Sequence, residues 1–156
     1  MRVALGAPFF VVELGILAIS SAALAPTRAD DVLFRSVIDD SLLDVTPKPG
    51  EVETDAVRTF KRSGLNPYIG QPQAIAEGRS LYEARCQACH LRDGKGRIGP
   101  SLVTDEPSYS RALTDVGLFE IIYGGASGSM QPFSLQGLRQ DNILKVMAYI
   151  RTLKKP

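Results

Sequence analysis

The chain has 156 residues, 44% hydrophobic and 22% charged, with 18 Lys and Arg against 17 Asp and Glu and a formal net charge of +1. These values allow one folded domain with a modest core and exclude a chain disordered over its bulk. The near-balance of charge leaves no polybasic surface for nucleic acid.

Arg2 is followed by a largely apolar stretch from Val3 to Leu24, interrupted by Glu13 and a few small residues. This pattern predicts a secretory signal peptide over residues 1–29, with small-residue exits at Ala23-Leu24-Ala25 or Thr27-Arg28-Ala29. An uncleaved anchor is the alternative, and membrane contact is expected only in that case. Cleavage near Ala29 removes Arg2, Glu13 and Arg28, leaving 16 basic and 16 acidic side chains.

Residues 30–72 read as an N-terminal extension. Val32 to Ile38 has the apolar, β-branched character of an extended segment, and Pro47, Pro49 and Gly50 then break the chain. Between Thr54 and Ser63 the positions Ala56, Val57 and Phe60 fall at helical spacing, with Gly64 as a stop. This short helix is expected to cover a flank of the unit formed by residues 73–156. A second helix, about Ala74 to Arg85, carries Gly78 and Tyr82 four apart on one face, a small residue beside an aromatic that suits a close helix crossing. The expected partner is the last helix, Asp141 to Leu153, where Ile143, Val146, Met147, Ile150 and Leu153 form an apolar stripe with Tyr149 beside it. Lys154 and Lys155 suit the negative end of its dipole.

The second helix runs into Cys86-Gln87-Ala88-Cys89-His90, which holds both cysteines and the sole histidine. Two thiols at this spacing can reach the two vinyl groups of a haem while the adjacent imidazole becomes a proximal iron ligand, so the run predicts covalent haem c attachment through Cys86 and Cys89 with His90 on the metal. A thioredoxin-like redox pair and a structural zinc site are the alternatives. Zinc requires four protein ligands, more than this chain offers, and no βαβ pattern surrounds the motif. Covalent haem is attached outside the cytoplasm, which agrees with export to the periplasm.

After His90, the polar, glycine-rich segment Arg92 to Arg97 predicts a surface loop without a phosphate-binding pattern. Ile98-Gly99-Pro100 follows. A metal-bound imidazole usually donates its other N–H to an acceptor that fixes the ring plane, and the Pro100 carbonyl is the candidate, an ordinary turn being the alternative. A third helix is expected from Asp115 to Tyr123, with Thr114 as N-cap, Leu118, Ile121 and Ile122 on its buried side, and Gly124-Gly125 as its end. The small, polar stretch from Ala126 to Pro132 then carries one large apolar side chain, Met130. Met1 lies in the export segment and Met147 in a helical stripe, so Met130, held extended by Pro132, is the candidate distal iron ligand, with a plain hydrophobic contact as the alternative. A thioether opposite an imidazole leaves no vacancy for substrate and points to electron transfer rather than enzymatic catalysis.

Gly78, Tyr82, Cys86, Cys89, His90, the Gly99-Pro100 turn, Met130 with Pro132, and Tyr149 together resemble the class I c-type cytochromes. The resemblance implies an all-α fold of three main helices around a covalently bound haem, here with an N-terminal extension, and places Gly99 and Pro100 beside the cofactor. Thr114-Asp115-Val116-Gly117-Leu118-Phe119, Tyr123-Gly124-Gly125-Ala126, Gly128-Ser129-Met130, Asp55-Ala56-Val57, Asn66-Pro67-Tyr68 and Gly94 to Pro100 are similar to the cytochrome c-L family. That likeness implies single electrons arriving from a quinoprotein methanol or other alcohol dehydrogenase and leaving to a smaller cytochrome c or an oxidase. A periplasmic carrier for another dehydrogenase and a haem-based ligand sensor are the alternatives.

Overall fold

A computed structural model of the chain describes residues 31–154, so the expected signal peptide and Lys155 lie outside the described residues. Among the described residues five helices carry the fold: α1 Asp55–Ser63, α2 Pro72–Arg85, α3 Gln87–His90, α4 Asp115–Gly124 and α5 Gln140–Leu153, with a 3₁₀ turn at Ser110–Leu113. Among the described residues there is no strand, only an isolated antiparallel bridge between Arg35 and Leu42, and no helix is long and apolar enough to cross a membrane.

Local chemistry sets the helix ends. The Thr54 hydroxyl accepts from the Val57 N–H to start α1, and Gly64, at φ 71°, closes it with its N–H on the Phe60 carbonyl at 2.7 Å. Pro72, whose missing N–H costs nothing at a helix start, opens α2 two residues before the expected boundary. Thr114 caps α4 by accepting from the Gly117 N–H at 3.0 Å, and Gly125 follows the helix at φ 81°.

The expected crossing of α2 and α5 is present and very close. A Cβ at Gly78 would stand 2.0 Å from the Lys145 carbonyl oxygen, so no residue but glycine fits without moving a backbone. One turn along, the Tyr82 and Tyr149 rings meet edge to face at 5.3 Å. Ile143, Val146, Met147 and Ile150 are buried as the stripe predicts, and Leu144 and Ala148 are buried beside them.

α4 differs from expectation. Instead of one apolar side, Gly117 through Tyr123 are all buried, including Phe119 and Glu120. The physical reason is the course of the extension, which wraps the outer face of α4. Phe34 forms a triangle with Phe60 and Phe119 at ring separations of 5.6, 5.2 and 5.1 Å, the Arg35 N–H donates to Glu120 Oε1 at 2.6 Å, and the Tyr123 hydroxyl donates to the Asp44 carbonyl at 2.7 Å. Residues of the extension therefore share one hydrophobic cluster with α2, α4 and α5.

Candidate functional site

The C-terminal end of α2 delivers the cysteine motif. The Cys86 N–H still donates to the Tyr82 carbonyl at 2.8 Å, and Cys89 and His90 both turn back onto the Cys86 carbonyl, forming the single turn α3. Leu91, at φ 61°, stops that turn. Tyr82, fully buried, spends its hydroxyl on the Leu91 carbonyl at 2.7 Å, which pins the exit of the motif to the helix that enters it. The sequence singled out Tyr82 for packing and missed this bond; the available signal was that a buried tyrosine hydroxyl needs a partner.

The glycine-rich loop then folds back over α3. The Cys89 carbonyl accepts from both the Arg97 and Gly99 N–H groups at 3.1 Å, and the His90 carbonyl accepts from Gly96 at 3.0 Å. This return brings Gly99 and Pro100 to the histidine ring. His90 is 8% exposed, its Nδ1 lies 2.9 Å from the Pro100 carbonyl oxygen, and a Cβ at Gly99 would stand 2.6 Å from its Cε1. With Nδ1 occupied by a carbonyl it carries the proton, and Nε2 is the basic nitrogen available to a metal.

The two thiols are unpaired. Burial, with the neighbouring Cys89 adding to it and Arg85 opposing, pushes the Cys86 thiol up to about 11. That is opposite to the lowered value an attacking thiol requires, so Cys86 is poorly suited to start thiol–disulfide exchange. Among the described residues, no three His, Cys, Asp or Glu side chains gather as a metal cage. What the donor set fits is haem: two thiols one helical turn apart and an imidazole with its ring plane fixed and Nε2 available, while Cys86, Leu102, Met130 and Phe133 each pack, partly buried, against the one core cluster.

Met130 sits on the loop after α4. The Ala126 N–H donates to the Met130 carbonyl at 3.0 Å, closing residues 126–130 into a ring, and Phe133 and Ser134 return their N–H groups to the Ile122 and Tyr123 carbonyls. A Cβ at Gly125 would stand 2.8 Å from the Met130 carbonyl oxygen, so the loop closes only over a glycine. Its other fastening went unnoticed in the sequence: the Tyr109 hydroxyl hydrogen-bonds the Ser127 hydroxyl and accepts from the Ser127 N–H at 3.1 Å.

Residues 73–150 match the family model described as "Cytochrome C oxidase, cbb3-type, subunit III". Cytochrome c-L of Methylorubrum extorquens is 38% identical over 123 residues, covering 78% of this chain and 62% of that protein, so the chain spans about three fifths of this relative's length. Cytochrome cL of the marine methylotroph Methylophaga aminisulfidivorans superposes with a TM-score of 0.76 at 35% identity, over 80% of this chain and 82% of that one. Cytochrome cL of Hyphomicrobium denitrificans gives 0.76 at 38% identity, over 81% and 76%. With an all-α fold, a thiol pair and oriented imidazole that suit covalent haem c, and these likenesses across most of its length, the chain belongs to the class I c-type cytochromes and, among them, to the cytochrome c-L group.

Proposed function

We propose that this protein is a periplasmic, mono-haem electron carrier that accepts single electrons from a quinoprotein methanol or other alcohol dehydrogenase and passes them to a smaller cytochrome c or an oxidase. In this reading residues 73–156 form the haem unit, residues 1–29 direct export, Cys86 and Cys89 hold the haem through thioethers, His90 Nε2 is the proximal ligand and the Met130 thioether the distal one. Haem held in this way supplies a one-electron iron couple.

The observation that carries the proposal is the His90–Pro100 contact at 2.9 Å beside two unpaired thiols. It fixes the ring and raises the basicity of Nε2, which is what an axial imidazole needs in both oxidation states. The chain itself does the remaining work. Tyr82 and the return loop hold the motif, Gly99 leaves room for the ring, and the Phe34–Phe60–Phe119 core backs α4 so that the Met130 loop is anchored on a rigid helix. Little reorganisation is then needed when the charge on the site changes by one. The resemblance to cytochrome c-L supplies the partner class.

Stopped-flow mixing of the ferric protein with a reduced, quinone-containing methanol dehydrogenase tests the donor. Rapid, saturable reduction is expected. Its absence, with reduction by small-molecule donors intact, would overturn the donor while leaving the carrier. Fast carbon monoxide binding to the ferrous protein would instead favour the ligand sensor.

A further inference from the structure

The loop carrying Met130 is fastened unevenly. Its base is bound to the end of α4 through Phe133 and Ser134, and it closes on itself through Ala126 and Met130. Its tip, Ser127 to Ser129, is exposed, and among the described residues its hydrogen bonds to the rest of the protein are the two that Tyr109 makes with Ser127.

Tyr109 stands on a firm base. It precedes the 3₁₀ turn Ser110–Leu113, and the Ala112 N–H donates to its carbonyl at 2.9 Å. Arg151 of α5 reaches across to donate to the carbonyls of Ala112, Leu113 and Thr114 at 3.1, 3.2 and 2.9 Å, so the turn is bolted to the last helix. Arg111 in turn pairs with the buried Glu120 carboxylate at 3.3 Å. A turn fixed over residues 111–114 by charged hydrogen bonds and an ion pair presents one phenolic hydroxyl to a loop tip that, among the described residues, has no other hydrogen bond to the rest of the protein.

We propose that Tyr109 is a positioning residue that latches the axial-ligand loop through Ser127 and thereby keeps the Met130 thioether from swinging away from the iron. This rests on Met130 being the distal ligand. When both axial sites are filled, an outside ligand binds only after the thioether has left, so its binding rate reads how often the loop opens. The latch sets that frequency.

The test uses the full holoprotein in its ferric form, with imidazole as the entering ligand followed by stopped-flow absorbance. Tyr109→Phe removes the hydroxyl, and with it both bonds to Ser127, and keeps the ring; it should bind imidazole about fivefold faster than wild type or more, a change of about fivefold being the weight of one net hydrogen bond. Ser127→Ala keeps the backbone N–H on Tyr109 and should give a smaller rise, about twofold. Tyr68→Phe removes a different hydroxyl, one bonded to Asp141 and not to the loop, and should lower thermal stability without speeding imidazole binding. A Tyr109→Phe rate within twofold of wild type overturns the latch, as does an equal acceleration in Tyr68→Phe. Met130→Ala separates the two levels. If it abolishes the weak long-wavelength ferric band of methionine ligation while Tyr109→Phe changes nothing, the latch alone fails; if it leaves that band and the imidazole rate unchanged, the ligand assignment fails and takes the latch with it.

Discussion

Gly78→Ala offers a sharp test of how α2 and α5 are held together. The added Cβ would lie 2.0 Å from the Lys145 carbonyl oxygen, 2.5 Å from its carbon and 3.1 Å from the Val146 nitrogen. All three are backbone atoms of α5, which cannot rotate away as a side-chain tip could. Reaching even the 3.0 Å limit of real Cβ contacts requires about 1 Å of separation between α2 and α5. A gap of that size forfeits a quarter to a half of each dispersion contact across the seam, where Tyr82 and Val146 are fully buried and Tyr149 nearly so. Overpacking of this kind costs about 3 kcal/mol or more, and the better helix propensity of alanine returns about 1. A net loss of about 2 kcal/mol lowers the thermal midpoint by about 4–8 °C for a chain of this size. The assay is thermal unfolding of the ferric holoprotein followed by far-ultraviolet circular dichroism. Ala76→Gly, at an exposed position on the same helix, measures the propensity term by itself and should lose about 1 kcal/mol. A Gly78→Ala midpoint at or above wild type, with Ala76→Gly falling as expected, would refute the close-crossing argument.

Gly99→Ala places a methyl 2.6 Å from His90 Cε1, so the ring must tilt off the Pro100 carbonyl; under the proposed ligation by His90 the imidazole then donates less to the iron, and the reduction potential measured by redox titration should rise. Asp141 accepts from Thr54 and Tyr68 hydroxyls at 2.7 Å and pairs with Lys145 at 2.9 Å. Burial pushes its carboxyl up, but hydrogen bonds from Tyr68, Thr54 and Lys145 pull harder, and the net shift is below the ordinary 3.8. A depressed carboxylate stabilises the fold above its unfolded value and loses that contribution as pH falls through the folded one. Asp141→Asn should therefore cost about 1–2 kcal/mol at pH 7 and show a shallower loss of stability below about pH 4 than wild type, read from urea midpoints across pH. Glu120→Ala strips the Arg35 N–H and Arg111 of a buried acceptor and should cost about 2–3 kcal/mol in urea unfolding, with Glu120→Gln milder because its amide oxygen still accepts from Arg35.

Much of the site could be read in the chain because its chemistry is local. Cys86, Cys89 and His90 are adjacent, and their spacing is itself the requirement for thioether attachment. The helix ends at Thr54, Gly64, Thr114 and Gly125 follow from capping and left-handed backbone geometry, which depend on a residue and its near neighbours. Even the α2–α5 crossing was visible, since a glycine four residues from a tyrosine on one helix and an apolar stripe on another specify where two backbones can approach.

What the tertiary structure decided are the contacts between residues far apart in sequence. No periodicity announces that Phe34 fills a triangle with Phe60 and Phe119, that Glu120 is buried on α4, or that Asp141 gathers Thr54, Tyr68 and Lys145. An acidic residue in an amphipathic pattern reads as solvent-facing until another segment covers it, and that covering depends on the path of the whole chain. The same holds for Tyr109 and Ser127, eighteen residues apart, whose pairing follows from Arg151 drawing the intervening turn onto α5. Local spacing thus determined which groups can meet a haem, while the folded path determined how firmly each is held there, because packing and buried hydrogen bonds form only once distant segments are brought together.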